Sequence, residues 1–173
     1  MPIRMHTITA LTAATLLALT ACSGNDSNTT DTKPGASQNA SSDSESTTMD
    51  AKQVTRALAD AVPNAKAATV YTADTDPNNL LGRPGGYTSK ADFTDDRAQP
   101  DLDDEVQKGG SIEVYDDPAD ATERAEFIAN TLKKMKIFGT EYHYLNGGIL
   151  LRVSGELTPD EAAGYEKALS KLS

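Results

Sequence analysis

Residues 141–153 read EYHYLNGGILLRV, two runs of alternating character joined by Asn146-Gly147-Gly148. Alternation puts every second side chain on one face of a strand, and Asn-Gly between two such runs is a strong hairpin signal. A turn centred on Asn146-Gly147 sets Tyr144 opposite Ile149, Tyr142 opposite Leu151 and Glu141 opposite Arg152. A turn centred on Gly147-Gly148 shifts the partners but not the faces. In both, Tyr142, Tyr144, Ile149, Leu151 and Val153 share the apolar face, and Glu141, His143, Leu145, Leu150 and Arg152 share the other. The fold must therefore contain an antiparallel sheet.

The flanking segments supply more strands and the helices to cover them. Downstream, Thr158-Pro159-Asp160-Glu161 is a capping box with proline in the first turn, predicting a helix to about Leu172 that buries Ala162, Tyr165, Leu169 and Leu172. Upstream, Asp117-Pro118 starts a helix on which Ala121, Ala125, Ile128, Leu132 and Met135 keep helical spacing to about Lys136. Lys133, Lys134 and Lys136 suit the negative end of its dipole and read as a dipole and solubility feature. Gly109-Gly110 precedes a strand over Ser111–Tyr115, with Ile112 and Val114 on one face. Tyr87–Phe93 alternates, with Tyr87, Ser89, Ala91 and Phe93 on one face and Thr88, Lys90 and Asp92 on the other. Between these two strands, residues 94–108 read as a solvated acidic loop (Asp95, Asp96, Asp101, Asp103, Asp104, Glu105). Ala67–Thr72 reads as a short strand. A first helix runs from Asp50 to Val62, with Gln53 completing a capping box, Val54, Leu58, Ala61 and Val62 as its stripe, and Pro63 as its stop. The order helix, three strands, helix, two strands, helix predicts one small α+β domain over residues 49–173, an antiparallel sheet with helices packed on one face.

Ahead of this domain, Arg4 is followed by an unbroken run of apolar, Thr and Ala residues from Ile8 to Ala21. Its 14 residues fall short of the roughly 20 that a spanning helix needs and match the short apolar region of an export signal. The run ends in Leu19-Thr20-Ala21-Cys22, which resembles the lipobox of bacterial lipoproteins. The resemblance implies that residues 1–21 are a signal peptide, removed at Cys22. It also implies that Cys22 carries a diacylglycerol, with or without an N-acyl (palmitate-type) chain. Two or more chains anchor stably where one is marginal. The expected location is the extracytoplasmic face of the cell membrane. Ser23–Thr48 is almost wholly Ser, Thr, Asn, Asp and Gly, too polar to offset its chain entropy, and is predicted to be a disordered tether. As a random coil those 26 residues reach about 28 Å root-mean-square, and drawn out they reach about 90 Å.

Composition removes several function classes. The formal net charge is −10 and falls near −11 once residues 1–21 are removed, so the chain repels phosphate backbones and nucleic-acid binding is not expected. It also repels anionic headgroups, so membrane contact is expected through the anchor alone. Cys22 is the single cysteine, which leaves the domain without disulfides, thiolate metal sites or a sulfur nucleophile. His143 is the one histidine beyond the signal.

Three separated motifs carry a further likeness: Asp-Pro-Asn-Asn-Leu-Leu-Gly-Arg-Pro-Gly-Gly-Tyr at 76–87, Gly-Ser-Ile-Glu-Val-Tyr at 110–115, and Glu-Tyr-His-Tyr at 141–144 followed by Leu-Leu-Arg at 150–152. They resemble a set of small Gram-positive lipoproteins of uncharacterised function, over most of residues 70–170. The resemblance implies a shared fold and surface location and brings no activity with it.

The 74–87 stretch is the most specialised part of the domain, its prolines, glycines and asparagines excluding regular structure over most of its length. Asp74, Asp76, Asn78, Asn79, Arg83 and Tyr87 are its candidate binding residues. Asp74-Thr75-Asp76-Pro77-Asn78 imitates the start of a calcium loop. The pattern then needs Gly at the sixth position and Glu at the twelfth, where Asn79 and Gly85 stand, so an Asx-type turn is expected and no metal or other cofactor. Arg83, between Gly82 and Pro84, either offers a fixed fork to a carboxylate or phosphate or pairs internally with an aspartate such as Asp76. No nucleophile motif, phosphate-binding loop or histidine pair supports a catalytic set. The leading expectation is a non-enzymatic binding module for a protein or other envelope partner, using the 74–87 loop and the nearby sheet edge. One alternative is an envelope enzyme or small-ligand binder built on Arg83, His143 or Arg152; another is an inhibitor or immunity protein.

Overall fold

The computed structural model describes residues 49–99 and 103–172. The segment expected to be a signal, Cys22, the expected tether up to Thr48, and Asp101 of the expected acidic loop lie outside the described residues. Ser44–Ser173 form one compact unit.

Helix α1 (Ala51–Ala61) starts where the Asp50 carboxylate accepts from the Gln53 amide and the Gln53 side chain accepts from the Asp50 amide, the expected reciprocal cap. Five strands follow: β1 (Ala65–Val70), β2 (Ser89–Asp95), β3 (Gly109–Val114), and the hairpin pair β4 (Glu141–Asn146) and β5 (Ile149–Ser154). Between β3 and β4 lie α2 (Pro118–Lys134) and a short 3-10 turn at Lys136–Phe138; α3 (Pro159–Leu169) closes the domain. The sheet is antiparallel throughout, in the order β1-β2-β3-β5-β4. It is the α+β domain expected from the sequence.

The hairpin turns on Gly147-Gly148: Asn146 pairs with Ile149, His143 with Arg152 and Tyr144 with Leu151. Gly147 takes a positive φ of 55°, the left-handed conformation that hairpin turns require. Asn146 is held out of the turn because its side-chain amide donates to the carbonyls of Leu169 and Leu172, at the end of α3. At the other end of β3, a Cβ on Gly110 would stand 2.3 Å from both the Phe93 ring and the Arg152 carbonyl, so only glycine allows β2 and β5 to close on that residue.

The two faces of the sheet have different contents. Ala91, Phe93, Ile112, Val114, Ile149, Leu151 and Val153 form the main core with Val54 and Leu58 of α1 and Ala162, Tyr165 and Leu169 of α3. The opposite face carries Leu150 and a row of charged groups; Ala121, Ala125 and Ile128 of α2 close over Leu150 together with Tyr87 and Tyr115. Thus α1 and α3 share one face and α2 forms a layer on the other, where Ala121, Ala125 and Ile128 bury Leu150 and the charges taken out of water with it must be paired.

Several expectations change: α2 lies on the other face of the sheet instead of the one face expected for all the helices, and Ala61, expected in the stripe of α1, is exposed. Tyr87 precedes β2 and packs with α2, away from the face of Ala91 and Phe93. Met135 is 46% exposed, because α2 ends at Lys134 and the chain leaves the core there. Asp95 ends β2, nearly wholly buried, and is no part of a solvated loop. Leu172 lies beyond the end of α3 and is only half-buried against the core.

Candidate functional site

The 72–87 segment is ordered by one carboxylate. Asp76 is buried, and its Oδ1 accepts from the Tyr87 hydroxyl at 2.5 Å and the Asn78 amide at 3.2 Å. Its Oδ2 accepts from the amides of Leu80 and Leu81 at 2.8 and 3.1 Å. Burial alone would raise the pKa of Asp76. The Tyr87 hydroxyl and the three backbone amides outweigh it and hold the carboxyl below the ordinary range. Tyr87 is pushed the other way, by burial and by its bond to Asp76. Leu80 and Leu81 pack beside the α2-side core, and the Tyr87 ring meets Tyr115 edge-on at 5.9 Å between centroids.

The candidate residues of this loop therefore divide. Asp76 and Tyr87 are internal supports and face no partner. Asp74, Asn78, Asn79 and Arg83 are exposed. Asn79 adopts a left-handed φ of 54° and accepts from the Arg83 guanidinium at 2.6 Å. The expected Arg83–Asp76 pair does not form; the cation nearest Asp76 is the buried Lys90, whose Nζ is 3.8 Å from Oδ1 and lies 4.3 Å from the Tyr71 ring centroid.

Under α2 the sheet carries a continuous polar network. Glu113 is fully buried and accepts from the Tyr115 hydroxyl at 2.8 Å, from Arg124 at 3.1 Å and from Arg152 at 3.3 Å. Arg152 also makes a fork-to-fork pair with Glu141, two bonds of 2.8 Å, and His143 Nε2 stands 2.9 Å from the same carboxylate. Burial opposes the charge on Glu141, yet His143 and Arg152 bring its pKa down to about 2. The grouping of Glu141, His143 and Arg152 on one face, expected from hairpin alternation, is present. The parts that sequence reading missed are Glu113, Tyr115 and Arg124. Glu113 had a legible signal, since it alternates with Ile112 and Val114; nothing in the sequence showed that α2 would bring Arg124 over it.

This network borders a cavity of about 250 Å³ whose lining includes Asn78, Asp104, Arg124, Phe127, Glu141 and Arg152. A second hollow of about 260 Å³, lined by Gly85, Asp120, Glu123, Arg124 and Phe127, shares two of those residues. Both lie between α2 and the 72–87 loop, with Phe127, 61% exposed, in both linings and the Arg124 guanidinium 5.9 Å from its ring centroid. Another hollow, about 450 Å³, lies by α3 and the end of α1; its Arg97 and Glu161 already face each other at 3.6 Å, and it gathers no comparable set of buried charges.

Chemically, the groove offers aromatic and aliphatic contact, a fixed pattern of amide and guanidinium donors, and carboxylates engaged by arginine. Both oxygens of Glu141 and of Glu113 are occupied, so neither is free to take a proton from a substrate without breaking an arginine pair. Among the described residues no group of three or more His, Asp or Glu side chains is placed to hold a metal ion. Comparison with family models, curated proteins and solved structures finds no match.

Proposed function

We propose that this is a lipid-anchored extracytoplasmic lipoprotein whose domain is a binding module for a polypeptide partner of the cell envelope, received in the groove between the 72–87 loop and α2. The observation that carries the reading is the rigid loop itself. A buried aspartate with four donors orders the loop that brings Asn78 and Gly85 into the groove lining beside an exposed phenylalanine, with Asn79 and Arg83 paired on the same loop. Pre-organised polar groups beside an aromatic anchor lower the ordering cost of binding, and aromatic and arginine side chains dominate interface energetics. A small-ligand reading rests on Arg124 and Arg152 in the cavity wall. It is the weaker one, because that cavity is below the roughly 300–1,000 Å³ of typical ligand sites and both guanidiniums are already paired.

A photo-crosslinking side chain at Asn79 or Phe127, introduced in intact cells, should give one discrete adduct. The same probe at Lys171 on the α3 side should give none. Equal labelling from all three positions, or none from any, overturns the groove as the interface. The anchor reading is tested separately: Cys22→Ser should abolish metabolic labelling by palmitate, and unchanged labelling would remove it.

A further inference from the structure

We propose that the turn leaving α2, Lys133-Lys134-Met135-Lys136-Ile137-Phe138, is a docking element for an anionic lipid bilayer surface. The net charge of −10 sets the chain as a whole against anionic headgroups and predicts contact through the anchor alone, but this segment departs from it locally, with three lysines in four positions and no acid. All three lysines are exposed, and among the described residues none is in an ion pair. Interleaved with them, Met135, Ile137 and Phe138 are 46%, 74% and 49% exposed. The short 3-10 turn at Lys136–Phe138 buries none of its residues, so its apolar groups are presented to solvent. Clustered exposed apolar side chains in a folded domain mark an interaction surface.

The interleaving indicates the occupant. A partner must take cations and apolar groups at nearly the same depth, as the headgroup–acyl boundary of a bilayer does. Lysines near an anionic surface each strengthen attachment. Beside the turn lies a cavity of about 410 Å³ with Lys133, Lys136 and His143 among its lining and Ala129 and Leu132 as apolar wall. Its one carboxylate, Glu141, is engaged by Arg152 and His143. Asp104, which lines the neighbouring hollow together with Phe138, accepts from the amides of Val106 and Gln107. Within the turn itself, Lys133 to Phe138, the only charges are those of the three lysines.

The proposal rests on the anchor reading for reach alone. Residue 50 caps α1 beside Ser89, at the end of the sheet where β2 and β5 begin, whereas the turn leads into Glu141 at the opposite end. A six-residue strand is about 20 Å long, and the 26-residue tether that the composition predicts would reach about 28 Å as a random coil. The chain can thus return the far end of the domain to the membrane. Such contact would hold the loop–α2 groove at a fixed height above the lipid.

Residues 44–173 form a compact unit with its own core and lack both Cys22 and the signal segment, so they test the turn without the anchor. Mixed with vesicles, they should sediment with phosphatidylcholine–phosphatidylglycerol and not with phosphatidylcholine alone, and added salt should release them. Replacing Lys133, Lys134 or Lys136 by Gln should each weaken binding roughly fivefold. Ile137→Ser with Phe138→Ser should abolish it while leaving the urea midpoint unchanged. Because the chain has no tryptophan, Phe138→Trp gives a single reporter whose emission should shift to the blue on the mixed vesicles. No sedimentation, binding unaffected by these substitutions, or binding to polyglutamate in preference to vesicles each overturns the proposal. None of these outcomes bears on Cys22, whose labelling is read independently.

Discussion

Two aspartates on β2, three positions apart and both about 2% exposed, show how far neighbours decide the meaning of a residue. Asp95 receives two bonds from Arg97, at 2.9 and 2.6 Å, and the Tyr165 hydroxyl at 2.6 Å; burial raises its pKa, but these donors bring it below the ordinary value. Asp92 has the Tyr71 hydroxyl on Oδ2 and no hydrogen-bond partner on Oδ1, and there burial prevails and the pKa rises. Ionised Asp92 therefore weakens the fold at neutral pH, and ionised Asp95 supports it. Asp92→Asn should leave stability unchanged or raise it by about 1 kcal/mol, whereas Asp95→Asn should cost about 2–3 kcal/mol by stranding Arg97. Urea unfolding at neutral pH separates the two, and equal losses would show this assignment of roles to be mistaken. Both residues were visible in the sequence as acids near a strand. The fate of each depended on Arg97, Tyr165 and Tyr71, which only folding brings together.

At the level of elements, the hairpin shows what a local signal settles and what it leaves open. Alternation in EYHYLNGGILLRV assigned every side chain of β4 and β5 to its face, because a strand has a period of two wherever the turn falls. Register remained open between two turns, and α3 resolved it through Asn146, whose amide bonds to the carbonyls of Leu169 and Leu172 are 2.9 and 2.5 Å. Asn146→Ala should cost about 1–2 kcal/mol and loosen the last turn of α3, seen as faster amide exchange at residues 168–172. Faster exchange confined to the β4–β5 turn would place its role in the hairpin instead. The 72–87 loop was legible as irregular and specialised from its Pro, Gly and Asn content. Its hub was not, because a carboxylate that accepts from backbone amides looks the same in a sequence as one that faces water.

For the whole molecule, acid is the informative perturbant. Among the described residues the Glu141 carboxyl falls from an ordinary 4.5 to about 2 in the folded state, so it binds protons more weakly there than in the unfolded chain. Its contribution is fully present above about pH 4.5 and is lost as pH falls through about 2. Asp76 and Asp95 add stability of the same sign; Asp92, shifted upward, opposes them. The urea midpoint should decline steadily below about pH 4.5. Glu141→Gln should lower it at neutral pH by the equivalent of about 3 kcal/mol and flatten the decline. A variant with the wild-type acid slope would show that the Glu141–Arg152 pair is not its source. The sequence by itself determined the α+β class, the caps of all three helices, the polarity of each hairpin face and an N-terminal segment unlike the rest, since all of these follow from local periodicity and capping chemistry. Tertiary structure alone decided that α2 crosses to the second face, that Glu113, Arg124 and Arg152 form one network, and that a groove opens beside the 72–87 loop. Those features join residues from distant parts of the chain, and only packing brings them into contact.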